Sequence, residues 1–186
     1  MEIGFALCGS FCTYNRVFPV MEQLAGAHHV IPIFSHAAAT TDSRFGKAGD
    51  FLNTAATVCG CAPLTSISDV EPIGPKKLLD LLIIAPCTGN TLAKLAAGIA
   101  DTPVTMAAKS HLRNGRPVLI ALSTNDALAA AAENIGKLMA RKHYFFVPFR
   151  QDDPDGKPAS AVADFSKIPD AAFAAVQGRQ IQPVLP

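Results

Sequence analysis

Five short, nearly continuous apolar runs divide the chain. They cover residues 3–7, 30–34, 81–85, 118–122 and 144–147. None of them alternates strictly between apolar and polar positions, and continuous runs are typical of parallel strands that are covered on both faces. The pattern therefore predicts five buried strands.

Helical periodicity fills most of the segments between these runs. Apolar residues recur at i, i+3, i+4 and i+7, the stripe of an amphipathic helix that packs on a sheet. The patterns begin at Tyr14, Leu92 and Leu128, and two further helices are predicted over 49–58 and 169–177. Pro19 falls inside the first pattern, where proline removes a helical hydrogen bond. We expect a kink or a late helix start there.

The alternation of strands and helices predicts the fold class. It is typical of an α/β fold, a doubly wound parallel sheet with helices on both faces. At 186 residues the chain has the length of one domain, with 151–186 as a polar C-terminal tail that holds the short helix. In such sheets ligands bind beyond the carboxyl ends of the strands.

The residues after the third apolar run form the strongest candidate site. Thr88, Gly89, Asn90 and Thr91 stand where a buried strand ends and a helix begins. A helix N-terminus presents unpaired N–H groups and a partial positive charge. The side chains add hydrogen-bonding groups, and glycine lets a ligand approach the backbone. The combination favours a phosphate or a phosphorylated cofactor.

Small polar residues follow the other strands as well. Gly9 and Ser10 follow the first strand, Ser35 the second, and Ser123 opens a polar segment after the fourth. Each residue taken alone is explained by helix capping. Because the carboxyl ends of parallel strands meet at one edge of the sheet, the set as a whole favours ligand contact.

Two common nucleotide motifs are missing. Residues 9–14 lack the G-x-G-x-x-G spacing of dinucleotide-binding turns, and no Walker-type Gly-Lys-Ser/Thr loop occurs. A mononucleotide or another monophosphate is therefore a better expectation than NAD or ATP.

Composition narrows the class of protein. Charged residues make up only 17% of the chain and apolar residues 49%, which favours a homo-oligomer. The net charge of +1, with both signs interspersed, gives no broad surface for nucleic acid. No signal peptide is recognisable, and no apolar run approaches the roughly 20 residues that span a membrane. We expect a cytoplasmic protein with reduced cysteines.

The cysteines leave alternatives open. Cys59 and Cys61 lack a histidine or a second cysteine pair at zinc spacing, so we expect structural thiols and no metal site. Cys8 and Cys87 lie at strand ends, where each is either a nucleophile or a small core residue. No general base is evident, and no catalytic residue is assigned.

A longer motif extends from the polar elbow. Residues 86–101 fit the pattern P-x-(S/T)-x-N-T-x-x-K-x-A-x-G-I-A-D, which resembles the signature of the flavoprotein superfamily of cysteine decarboxylases and flavin prenyltransferases. Within it the chain is similar, over almost its full length, to the family of dipicolinate synthase B subunits. The matching positions fall within 9–14, 44–46, 71–76, 113–117, 123–128 and 146–154.

The resemblance implies a flavodoxin-like fold that binds FMN or a related phosphate at the strand ends. The implied cofactor contacts are Gly9, Ser10, Ser35, Thr88, Gly89, Asn90, Thr91 and Ser123. It also implies a companion protein, the A subunit of dipicolinate synthase, thought to carry NAD(P). Together the two proteins would oxidise a dihydrodipicolinate-type precursor to dipicolinate in the mother cell of a spore-forming bacterium.

Two departures from the superfamily pattern bear on activity. Ser123 stands where flavin prenyltransferases have an arginine, and residues 107–110 replace the Pro-Ala-Met-Asn segment of the decarboxylases. One alternative is therefore a non-catalytic subunit that keeps the phosphate cradle without flavin. A further alternative, which the missing segment disfavours, is an independent FMN-dependent decarboxylase.

A substrate with two carboxylates requires cations. Arg150, Lys157, Lys109 and Arg44 are the candidates, proposed from this chemistry alone. Residues 151–158 form either a solvated turn, as Asp-Pro and Lys-Pro favour, or a loop over the crevice.

Overall fold

Five parallel strands form the centre of the protein. The computed structural model describes residues 1–186. The strands are β1 (Glu2–Leu7), β2 (His29–Phe34), β3 (Leu81–Cys87), β4 (Val118–Thr124) and β5 (Tyr144–Phe146). They are ordered β2-β1-β3-β4-β5, with every neighbouring pair parallel. The five predicted strands and the doubly wound α/β class are confirmed.

Two short strands make the sheet mixed. They are β6 (Phe149–Gln151) and β7 (Ala161–Ala163). The strand β7 pairs antiparallel with the end of β4, where Ser123 lies opposite Val162, and β6 pairs antiparallel with β7. The expectation of an all-parallel sheet is corrected in this respect, because a segment after β5 turns back onto the carboxyl end of β4.

Eight α-helices surround the sheet. They are α1 (Tyr14–Ala25), α2 (His36–Thr40), α3 (Ala48–Cys59), α4 (Ile67–Val70), α5 (Gly89–Ala97), α6 (Pro103–Leu112), α7 (Ala130–Met139) and α8 (Ile168–Val176). The helices α5, α6 and α7 pack together, and α1 and α8 contact each other. Pro19 lies inside α1, which begins at Tyr14, so the late start is wrong. No helix has both the length and the apolar character needed to cross a membrane.

The core runs through the central strands and includes much of the C-terminal segment. Every residue of β3 is buried. Phe165 and Ile168 are also fully buried, and α8 contacts β3, β4 and β5. The predicted short helix is present. The description of 151–186 as a polar tail is corrected, because the apolar stripe of α8 covers the sheet and leaves only one face of that helix in solvent.

Candidate functional site

A cavity of about 830 Å³ opens at the carboxyl ends of β1, β3 and β4. Its walls come from the loops that follow these three strands, together with part of the segment before α3 and the loop between β6 and β7. The lining residues are 9–13, Arg16, 43–45, 88–90, 123–126, Asp152, Lys157 and 160–162. The edge predicted from the strand ends is therefore a real concavity of small-ligand size.

Most of the predicted cofactor contacts meet in this cavity. They are Gly9, Ser10, Thr88, Gly89, Asn90 and Ser123. Ser35 and Thr91 do not line it. The Ser35 hydroxyl accepts a hydrogen bond from the Ala38 N–H at 3.2 Å and caps α2. The Thr91 hydroxyl is buried and donates to the Cys8 sulfur at 3.3 Å. Capping and core packing hold these two side chains, as the alternative for each strand end allows.

The N-terminus of α5 forms one wall of the cavity. Thr88 caps it, since its hydroxyl accepts from the Thr91 N–H at 3.3 Å and its carbonyl accepts from the Leu92 N–H at 2.9 Å. The N–H groups of Gly89 and Asn90 have no partner within the helix. They lie beside the exposed Asn90 side chain. Two backbone donors, an amide and the positive end of a helix dipole suit an anionic group.

Gly89 is required for a reason that differs from the expected one. A β-carbon at this position would lie 2.7 Å from both Thr124 Oγ1 and Asp126 Oδ1. The Thr124 hydroxyl donates a hydrogen bond to the Asp126 carboxylate. The missing side chain therefore lets the loop after β4 pack against the start of α5.

Hydrogen bonds between the loops hold the cavity in shape. The Ser10 hydroxyl donates to the Ser123 carbonyl at 2.8 Å and accordingly joins the loop after β1 to the end of β4. The Thr13 hydroxyl donates to the Ser10 carbonyl at 2.8 Å. The Ser160 hydroxyl donates to the Thr124 carbonyl at 3.3 Å. The loops after β1 and β4 and the segment before β7 are thus fixed relative to one another around the site.

Three cations and two carboxylates line the cavity. Of the predicted cations, Arg44 and Lys157 are present, and Arg16 joins them. Lys157 Nζ lies 3.6 Å from Asp152 Oδ2. Burial opposes ionisation of Asp152, but hydrogen bonding to Ser160 and the Lys157 charge outweigh it and lower the pKa of this carboxyl. Asp126 is the second carboxylate, so the cations exceed the acids by one.

Arg150 and Lys109 lie outside the cavity. Arg150 is exposed on β6 and faces a separate shallow groove with Asp164. Lys109 is exposed on α6 and lines a second cavity, which opens near the start of β5. Their positions depend on strand pairing and helix packing, neither of which the sequence around each residue determines.

The cysteines at the strand ends are core residues. Cys8 and Cys87 are buried, and burial raises the pKa of the Cys8 thiol to about 11. It also raises the pKa of Cys87 well above the ordinary value. A thiol that stays protonated at neutral pH is a poor nucleophile. No group of three or more His, Cys, Asp or Glu side chains is placed to hold a metal ion.

Sequence reasoning missed several cavity residues. Phe11 and Cys12 follow the first strand directly, and Arg16 lies one helical turn from Cys12. Their closeness to Gly9 and Ser10 was the available signal. Ser43 and Phe45 reach the cavity from a segment that has no regular pattern, and no local signal marks them.

Comparisons with known proteins agree with the fold and the position of the cavity. The family model described as Flavoprotein matches residues 1–176. The chain is similar to the B subunit of dipicolinate synthase from Bacillus subtilis (strain 168), with 44% identity over 185 residues, which are 99% of this chain and 92% of that protein.

Solved structures give the same result. The crystal structure of the dipicolinate synthase B subunit from Bacillus halodurans C superposes with a TM-score of 0.91 at 44% identity, over 100% of this chain and 95% of that one. The FMN-dependent cysteine decarboxylase SpaF superposes with a TM-score of 0.72 at 23% identity, over 96% and 97% of the two chains. The second likeness shows the fold alone.

The fold and the cavity at its strand ends are those of an α/β flavoprotein. The whole-length matches narrow the class further. The chain belongs to the Flavoprotein family and, within it, to the family of dipicolinate synthase B subunits. The family resemblance predicted from residues 86–101 is confirmed.

Proposed function

We propose that this chain binds FMN in the cavity at the carboxyl ends of β1, β3 and β4. The observation that carries the proposal is the start of α5, where the free N–H groups of Gly89 and Asn90 form a cradle for a phosphate. The exposed amide of Asn90 adds a donor beside them. Membership of the Flavoprotein family supports a flavin as the group that carries this phosphate.

We further propose that the chain is the B subunit of a dipicolinate synthase. It would act with an A subunit, which holds NAD(P), to oxidise a dihydrodipicolinate-type precursor to dipicolinate in the mother cell during sporulation. The 44% identity over 99% of the chain to a dipicolinate synthase B subunit supports this assignment. Large apolar side chains in solvent, such as Phe173 at 63% exposure, support contacts with further subunits.

The cavity charges suit a dicarboxylate substrate. Arg44 and Arg16 offer guanidinium groups, which bind carboxylates through two parallel hydrogen bonds. Lys157 is partly neutralised by Asp152, so we assign the main contacts to the two arginines. FMN, when bound, would supply a hydride acceptor, and the role of the chain is to orient the substrate ring beside it.

A titration with FMN tests the cradle. We expect the purified chain to bind FMN, and the Asn90→Ala variant to bind it at least 10-fold more weakly, because one hydrogen bond to a charged phosphate contributes roughly 1.5–3 kcal/mol. The measurement is the change in flavin absorbance and fluorescence during the titration. Asn53→Ala is the matched control, since Asn53 is also exposed on a helix and lies away from the cavity.

A specific observation favours a second candidate function. Asp126 places a carboxylate close to Gly89, and Ser123 puts no cation beside the cradle. Both features weaken the binding of a dianionic phosphate. The second candidate is a non-catalytic subunit that holds its partner or the substrate without flavin. A wild-type chain that stays colourless in excess FMN would contradict the first proposal and support the second.

A further inference from the structure

A second cavity lies at the opposite end of the sheet. Its volume is about 400 Å³, which falls within the range of roughly 300–1,000 Å³ that is typical of small-ligand sites. It lies between the C-terminal ends of α5 and α6 and the turn that leads into β5. The side chains of Leu95, Ile99 and Leu112 supply apolar walls. Neither the chemistry of the first cavity nor the fold requires this opening.

The charged groups at this cavity all have the same sign. Lys109, Arg141 and Lys142 line it, and no carboxylate does. None of the three cations forms an ion pair within the chain. The nearest acid in sequence to the wall at Ile99 is Asp101, and its carboxylate is held by Lys94 at 2.8 Å. The cavity therefore carries a local positive charge in a chain whose net charge is only +1.

Arg141 is held in a defined position. Its guanidinium donates to the Leu95 carbonyl at 3.1 Å and to the Ala96 carbonyl at 2.7 Å, at the C-terminal end of α5. These bonds use two of the five guanidinium N–H groups. A cation fixed in this way loses less conformational freedom when it binds an anion than a free side chain does.

Tyr144 adds a polar group to the wall of the cavity. The side chain is half-buried at the start of β5. Burial raises its pKa to about 12, although the Arg141 charge opposes this shift. The hydroxyl is therefore protonated at neutral pH and able to donate a hydrogen bond to an acceptor in the cavity.

We infer that the second cavity binds a small organic anion that carries a carboxylate on an apolar or aromatic body. The apolar walls match the body of such a ligand, and the three cations with the Tyr144 hydroxyl match its carboxylate. Inorganic phosphate fits less well, because it offers nothing to Leu95, Ile99 and Leu112. If the proposed function is correct, the aromatic diacid product is a ligand of this class, and its choice as the probe rests on that proposal.

Calorimetric titration of the full chain with dipicolinate tests the inference. We expect binding that weakens at least 10-fold in the Lys109→Met/Lys142→Met variant, while the affinity for FMN is unchanged. The Lys137→Met variant is the matched control. Lys137 is on α7 close to Lys142, but it pairs with Glu133 and does not line the cavity. Arg44→Ala separates any dipicolinate bound in the first cavity, because it removes a cation there and leaves the second cavity intact.

The outcomes of this titration distinguish the two proposals. Wild-type affinity for dipicolinate in the double variant, or equal weakening in the Lys137→Met control, would overturn the inference. Equal binding of inorganic phosphate and dipicolinate would also overturn it, because the apolar walls would then contribute nothing. A changed sedimentation coefficient in the double variant without any loss of dipicolinate binding would assign the cavity to a contact between protein chains instead. Failure of FMN binding alone would contradict the proposed function and leave this inference standing.

Discussion

At the scale of single residues, the two glycines at the candidate site have different roles. A β-carbon on Gly9 would lie 3.8 Å from the Ala37 side chain, an ordinary contact. A β-carbon on Gly89 would lie 2.7 Å from two oxygen atoms of the loop after β4. The sequence marked both positions equally, and only the packing of neighbouring loops separates them.

This difference predicts that Gly89→Ala destabilises the protein and Gly9→Ala does not. Overpacking typically costs about 1–3 kcal/mol, and we expect the free energy of unfolding to fall by this amount in Gly89→Ala. Urea denaturation of the two variants measures it. Equal stability of Gly89→Ala and the wild type would mean that the loop at Thr124 and Asp126 moves freely and that the cavity wall is not fixed as described.

Buried His111 is the second residue with a measurable consequence. It is 1% exposed at the end of α6, and its Nε2 lies 3.0 Å from the Pro117 carbonyl. Burial lowers the pKa of His111 to about 4, although the hydrogen bond to Pro117 opposes the shift. The imidazole is thus neutral in the folded protein at pH values where it takes up a proton in the unfolded chain.

The free energy of unfolding is accordingly expected to decrease as the pH falls from about 6.5 to about 4. In this window the unfolded chain binds a proton that the folded chain does not, and the full effect is about 3 kcal/mol. His111→Gln keeps an N–H donor but does not titrate, so this contribution to the pH dependence should disappear. Chemical denaturation at a series of pH values tests it, with exposed His36→Gln as the control. An unchanged pH dependence in His111→Gln would contradict the assignment.

At the scale of elements, continuous apolar runs were sufficient to predict β1 to β5, because parallel strands buried on both faces carry a strong local pattern. The strands β6 and β7 span three residues each, and their pairing depends on contact with β4. The helix α6 was missed although Thr102 forms a capping box with Thr105 and Pro103 opens the helix. That start signal was present in the sequence.

The candidate site shows the same limit. Residues directly after a buried strand, such as Ser10 and Asn90, reach the cavity because the strand places them at its end. Lys109 was chosen by charge alone, and its direction is set by the packing of α6. Thr91 lies next to Asn90 in sequence, yet the helix turns its side chain into the core toward Cys8. Position along the chain was predictable, and side-chain direction was not.

At the scale of the whole molecule, the C-terminal segment is part of the fold. The Gln180 side chain accepts from the Phe146 N–H at 2.8 Å and donates to the Phe146 carbonyl at 2.7 Å. It thereby satisfies the free edge of β5 as a neighbouring strand would. With β7 on the end of β4 and α8 over the sheet, this segment connects the cavity at the strand ends to the core.

Removal of the segment is therefore expected to abolish cooperative folding. A chain that stops after Ala159 lacks β7 and α8 and exposes the sheet surface that Phe165, Ile168 and the rest of α8 cover. We expect it to lose a cooperative thermal transition and dispersed amide signals in NMR spectra, because a core that loses one covering layer no longer offsets the chain entropy of folding. A chain that stops after Gln182 is the control. It keeps Gln180 and loses the Phe149–Val184 backbone bond, so it should unfold cooperatively at a slightly lower temperature. Cooperative unfolding of the shorter chain would show that the sheet and its remaining helices fold without their C-terminal cover.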